Sequence, residues 1–169
     1  MPDRLLNVLF LCTANSARSV LSEAILNHLG QDRFQAYSAG SQPAGAVNPI
    51  ALRLLAAKGL SIAGLRSKSW DEFASAGAAP MDFIFTVCDN AAGEACPFWP
   101  GKPASAHWGI PDPAGVSATD ANRLAAFEQA YERLHRRISA FIALPVETMA
   151  PAELRAALQP IGQQQDVPA

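Results

Sequence analysis

An α/β fold with a parallel sheet covered on both faces is predicted by three features of the sequence. Near-continuous apolar runs of strand length stand at residues 5–11 and 82–87. Such runs mark strands buried on both faces, as in parallel sheets. Each run ends at a cysteine, Cys12 and Cys88. Segments of helical period follow the strands, and strands alternating with helices build a parallel sheet between helical layers.

The first strand is Leu5-Leu6-Asn7-Val8-Leu9-Phe10-Leu11. It is too short for a signal core and runs into Cys12 without a small-residue cleavage pattern. Cys12 to Arg18 reads as a polar turn. A helix then starts at Ser19, with Val20, Leu21, Ala24, Ile25 and Leu29 on one face and Gly30 as its stop. Phe34 to Ala39 is the second strand, and Gly40 to Val47 a loop. Asn48 caps the next helix, with Pro49 in its first turn and Gly59 after its end. A short helix is expected over Trp70 to Ala76, then the strand Asp82 to Val87.

Residues 89–117 are rich in Gly and Pro, with five prolines from Pro97 to Pro113. They leave room for a short helix near Ala91 and a short strand near His107-Trp108. A long helix runs from about Thr119 to Leu144, its Leu124, Phe127, Tyr131, Leu134, Ile138 and Phe141 spaced 3, 4, 3, 4 and 3, and Pro145 ends it. Met149 to Leu158 adds a short helix, and Gln163 to Ala169 frays. The expected organisation is a domain over 1–145 and a C-terminal extension over 146–169.

Composition bounds what such a domain does. The chain has 169 residues, 50% hydrophobic and 17% charged, which excludes a disordered chain. Thirteen basic against fifteen acidic residues give a net charge of −2, so no nucleic-acid footprint is present. No apolar run reaches the roughly 18 residues that span a bilayer. Three cysteines are an odd number for a disulfide framework. A reducing cytoplasm, where thiols persist, is the expected compartment.

The sharpest motif is Cys12-Thr13-Ala14-Asn15-Ser16-Ala17-Arg18-Ser19, between the first strand and the first helix. Backbone N–H groups of a turn at a helix N-terminus make an anion cradle. The same field favours thiolate at a cysteine on its rim. Arg18 supplies a bidentate grip on a tetrahedral oxyanion, and Ser19 a hydrogen bond to the thiolate. Without that chemistry, Cys12 is a small hydrophobe closing a strand and Arg18 a solvated helix residue.

These residues resemble the low-molecular-weight tyrosine phosphatase family. Asn15, Glu23 and Ser38-Ala39-Gly40 match further recurrent positions, while Ala14 and Ala17 stand where the family has a glycine and a second cysteine. The resemblance implies a nucleophilic Cys12, oxyanion binding by residues 13–18, and a four-stranded parallel sheet with helices on both faces. It also implies that Asp112, before Pro113, protonates the leaving group. By itself Pro111-Asp112-Pro113-Ala114-Gly115 is a turn.

Val87-Cys88 through Cys96-Pro97, followed by His107 to Pro113, is similar to the redox segment of arsenate reductases built on the phosphatase fold. That resemblance implies arsenate or another tetrahedral oxyanion as substrate and a Cys12/Cys88/Cys96 disulfide cascade. An external thiol reductant, thioredoxin or glutathione with glutaredoxin, closes the cycle, and no cofactor is bound. Two unrelated buried cysteines, or a zinc site of Cys88, Cys96 and His107, are the alternatives, although short paired zinc spacings are lacking. Some related enzymes hold a monovalent cation near the positions of Asn15, Glu23 and Ser38. Lys68 stands where an acid is wanted there, so no metal is expected. A hydrolytic phosphatase and a non-enzymatic oxyanion or redox sensor are the rival functions.

Overall fold

Four parallel strands form one sheet in the order β2–β1–β3–β4. They are β1 (Leu6–Cys12), β2 (Phe34–Gly40), β3 (Phe83–Thr86) and β4 (Ala104–His107). The helices are α1 (Arg18–Leu29), α2 (Pro49–Ala57), α3 (Asp71–Ala74), α4 (Asp120–Ile142) and α5 (Pro151–Gly162). The computed structural model describes residues 5–30, 32–74, 80–87, 104–109 and 120–162. The short helix expected near Ala91 lies outside them, as do Ser75 and Ala76 of the helix expected after Trp70.

β1 is the central strand, and Val8 through Leu11 are fully buried. Val8 and Phe10 join the larger core cluster, with α1, α2 and α4. Leu9 and Leu11 face a smaller one formed with Ala39, Trp70, Met81 and Ile84, against which Tyr37 and Phe73 pack. The chain moves from β1 to β2 on one side and to β3 on the other, which makes the carboxyl end of β1 a topological switch point. Ligand crevices of open parallel sheets form at such points.

The apolar stripe of α4 behaves as its spacing predicts. Phe127, Leu134, Ile138 and Phe141 are fully buried, and the Phe141 ring meets Phe34, Phe83, Phe85 and Trp108 at 4.9–5.9 Å. Asn48 caps α2 by accepting the Ile50 amide at 2.9 Å, with Pro49 in the first turn. α1 differs from its one-faced expectation. Ser19, Ser22 and Leu26 are buried with Val20, Leu21, Ala24 and Ile25, while Leu29 is exposed. The helix is wedged between the sheet, α2 and α4, so almost its whole circumference is covered. Gly30 does end it, but at φ −114° rather than in the left-handed region. Space makes the glycine necessary, because a Cβ there would come 2.9 Å from the Phe34 ring.

Beyond α4 the chain returns to the body of the fold. Leu158 and Ile161 of α5 are buried and α5 lies on the edge strand β4. Covering an edge strand removes a template for unwanted pairing. Arg33 ties down the connection, donating to Ile142 O at 2.6 Å and Leu144 O at 3.0 Å. It also grips both Glu147 carboxylate oxygens, at 2.6 and 2.7 Å.

Candidate active site

Cys12 is the last residue of β1 and is buried. It stands in register with Gly40 of β2, and on its other side Val87 N–H bonds to Leu11 O at 2.9 Å. The five-residue turn that follows, Thr13 to Ala17, is held from outside by its carbonyls. Thr13 O accepts from Gln42 N, Ala14 O from Ala44 N, and Ser16 O from Asn48 N, all at 2.9 Å. Ser67 Oγ donates to Ala14 O as well, at 3.0 Å. In a trans peptide the carbonyl and the next N–H point to opposite sides. Outward carbonyls at 13, 14 and 16 therefore turn the amides of Ala14, Asn15 and Ala17 inward. Asn15 shows it directly, its N–H reaching Cys12 Sγ at 3.2 Å.

Asn15 is the hinge of this turn. Among the described residues it is the one non-glycine with positive φ, at 48°, a conformation that asparagine tolerates better than most residues. Its fully buried side chain donates from Nδ2 to Ser19 Oγ at 2.7 Å and accepts from Lys68 N at 2.8 Å. Ala14, where the resembled family has glycine, keeps negative φ. Ser19 Oγ lies 2.9 Å from Cys12 Sγ. When Cys12 is a thiol either atom can donate, but a thiolate has no hydrogen, so against it the Ser19 hydroxyl is the donor. Two donors thus converge on Cys12, an arrangement that favours thiolate. Arg18 opens α1, half-buried, and its carbonyl accepts from Ser22 Oγ.

The turn also needs Gly40. A Cβ there would fall 2.3 Å from Thr13 O and 3.0 Å from the Asn15 backbone nitrogen. Beneath the turn, Ser38 Oγ donates to Glu23 Oε1 at 2.6 Å, and the buried Lys68 ammonium lies 3.8 Å from the same oxygen. Burial pushes the Glu23 carboxyl up, against the Ser38 hydrogen bond and the Lys68 charge. Burial likewise pushes the Lys68 ammonium down, against the attraction of Glu23. The Lys68 ammonium thus brings a positive charge beside Glu23 and Ser38.

Cys88, Cys96 and Asp112 lie outside the described residues. The structure therefore brings together Cys12, Asn15, Ser19, Glu23, Ser38 and Lys68 from the residues singled out in the sequence. His107, the third member of the zinc alternative, has its Nδ1 2.6 Å from Thr86 Oγ1. Sequence reasoning missed Ser67 and the amides of Gln42, Ala44 and Asn48. No motif marks them, since three act through backbone and the fourth is an ordinary loop serine.

A sequence profile described as low molecular weight phosphotyrosine protein phosphatase matches residues 7–156. The chain belongs to this family. An arsenate reductase of Halalkalibacterium halodurans is 34% identical over 134 residues, covering 79% of this chain and 93% of its own. Among solved structures, an arsenate reductase from Archaeoglobus fulgidus has 31% identity and a TM-score of 0.58, with 78% of this chain and 98% of that one covered. A thioredoxin-dependent arsenate reductase of Corynebacterium glutamicum shares the fold, at 24% identity and a TM-score of 0.59 over 84% of this chain and 64% of that one. No described helix is long and apolar enough to cross a membrane.

Proposed function

We propose that this chain is an arsenate reductase of the family, using Cys12 as nucleophile and Cys88 and Cys96 as relay thiols. The observation that carries the reading is the convergence of Ser19 O–H and Asn15 N–H on the Cys12 sulfur, inside a turn whose supports face outward. The names of the relatives select arsenate among the oxyanions such a turn can hold.

Arsenate settles in the turn of residues 13–18, against its inward amides at Ala14, Asn15 and Ala17 and the Arg18 guanidinium. Cys12 thiolate attacks arsenic and displaces an oxygen, and Asp112 supplies the proton that lets it leave as water. Cys88 thiolate then attacks Cys12 Sγ. The S–As bond breaks, its electron pair goes to arsenic, and arsenite departs as a Cys12–Cys88 disulfide forms. Arsenic gains two electrons and two thiols lose them. Cys96 attacks Cys88, which frees Cys12 and leaves Cys88–Cys96 for an external dithiol. A thioredoxin-like protein is the proposed reductant, in keeping with the Corynebacterium glutamicum protein, with glutathione and glutaredoxin as the other candidate. A reducing cytoplasm suits this chemistry. Residues 1–145 are the proposed catalytic domain and 146–169 its extension.

The family profile itself favours a second reading, hydrolysis of phosphoesters by the same Cys12 turn. Assays of arsenate reduction and aryl-phosphate hydrolysis, each with and without thioredoxin or glutathione plus glutaredoxin, separate the two. The Cys96→Ser variant should release one arsenite per enzyme and stall with a Cys12–Cys88 disulfide, visible by mass spectrometry. Cys88→Ser should release none. Phosphate-ester turnover independent of relay thiols, with no arsenite, would favour the phosphatase.

A further inference from the structure

Residues 66–68 fasten to the Cys12 turn at two points. Ser67 Oγ donates to Ala14 O at 3.0 Å, and the Lys68 backbone N–H donates to Asn15 Oδ1 at 2.8 Å. The second bond leads on toward sulfur. Asn15 Nδ2 donates to Ser19 Oγ at 2.7 Å, and Ser19 Oγ stands 2.9 Å from Cys12 Sγ. A backbone N–H can only donate, so Lys68 fixes Oδ1 of the amide on its own side and Nδ2 on the side of Ser19. A flipped amide would instead offer Ser19 an acceptor in competition with the thiolate. Hydrogen bonds in such a chain also polarise one another.

The rest of Lys68 holds that N–H in place. Its carbonyl accepts from Gly40 N at 2.9 Å, and Gly40 is the register partner of Cys12. Its ammonium turns back to Arg66 O at 3.0 Å and lies 3.8 Å from Glu23 Oε1 of α1. Ser38 of β2 bonds the same carboxylate oxygen. Arg66 and Glu72, the other charged groups that act on Lys68, are exposed. Lys68 itself is 9% exposed, and burying an ammonium costs free energy that a methionine of similar length would not. A methionine, however, cannot bond the Arg66 carbonyl or pair with Glu23.

We propose that Lys68 is a positioning residue for Cys12. Its side chain fixes residues 66–68 against α1, and its backbone N–H thereby orients the Asn15 amide so that Ser19 donates to the Cys12 thiolate. The inference rests on Cys12 being the nucleophile.

The test reads the pH profile of Cys12 alkylation by iodoacetamide in the full chain, with urea unfolding alongside. Lys68→Met should displace the profile to higher pH and slow alkylation at pH 6 about 3-fold or more, part of what a hydrogen bond to a charged group contributes. Adding Glu23→Gln removes the unpaired carboxylate and should restore stability, yet the profile should stay displaced. In a Ser19→Ala background Lys68→Met should add nothing, because both act through one hydroxyl. An unmoved profile in Lys68→Met, a profile that returns together with stability, or losses that multiply with Ser19→Ala would each overturn the proposal. If Lys68→Met does not fold, the Lys68→Met/Glu23→Gln variant decides on the same profile. A parent Cys12 that alkylates no faster than Cys88 and Cys96, with no protection by inorganic phosphate, sinks the nucleophile reading and this proposal together. A reactive, phosphate-protected parent Cys12 beside an unmoved Lys68→Met sinks this proposal alone.

Discussion

Ser19 Oγ lies 2.9 Å from Cys12 Sγ, on the second residue of the helix that begins where the cysteine turn ends. The Asn15 side-chain amide donates to the same hydroxyl, and against a thiolate, which has no hydrogen, the hydroxyl donates to sulfur. Ser19→Ala should therefore weaken the thiolate. A hydrogen bond to a charged group contributes about 1.5–3 kcal/mol, so Cys12 alkylation by iodoacetamide at pH 6 should slow roughly 10-fold. An unchanged rate against pH would show that the hydroxyl only packs.

Gly40 tests the turn from the other side. Gly40→Ala puts a methyl 2.3 Å from Thr13 O, a backbone atom that the Gln42 amide holds in place. Overpacking of this kind costs about 1–3 kcal/mol. The loss should fall on oxyanion binding too, with phosphate protection of Cys12 weakened about 10-fold or more. Normal protection in a destabilised variant would separate the glycine from the site.

Lys68→Met leaves the Glu23 carboxylate with the Ser38 hydrogen bond and the Arg66 charge. Glu23 already titrates above its ordinary value of 4.5 because of burial, and losing the ammonium raises it further. Between the unfolded and folded values the native state holds the proton that the unfolded chain has lost, so stability falls as pH rises. Urea unfolding should show a cost of about 1–3 kcal/mol at pH 8 that shrinks toward pH 5. Adding Glu23→Gln should restore most of it. A loss independent of pH would point to packing instead.

Glu147 has the opposite sign. The Arg33 fork holds its carboxyl below the ordinary value of 4.5. Its contribution is present above that value and disappears as pH falls through the folded one. Glu147→Gln should lose about 1 kcal/mol at pH 7, a loss that shrinks steadily as the pH is lowered below 4.5. A constant difference across that range would mean the hydrogen bonds matter without the charge.

How much of this was legible in advance depends on distance along the chain. β1, the cysteine turn and α1 occupy one continuous stretch, so apolar runs, an eight-residue motif and helical periodicity were enough to place them. Asn48 and Pro49 announced α2, because a cap acts within its own first turn. Leu29 was misplaced because a one-faced pattern assumes one neighbour, and α1 has several.

The sequence by itself marked the main strand and helix segments and the Cys12 turn with its local partners Asn15 and Ser19, since these interactions close within a few residues. Tertiary structure alone decided what holds the turn open. Lys68 N reaches Asn15 across 53 residues, Arg33 reaches Glu147 across 114, and Arg137 holds the end of β4 from a helix 29 residues later. The supports at Gln42, Ala44 and Asn48 are backbone amides that nearly any side chain can carry. A donor common to almost every residue leaves no mark in a sequence until the sheet brings it within 3 Å of its carbonyl.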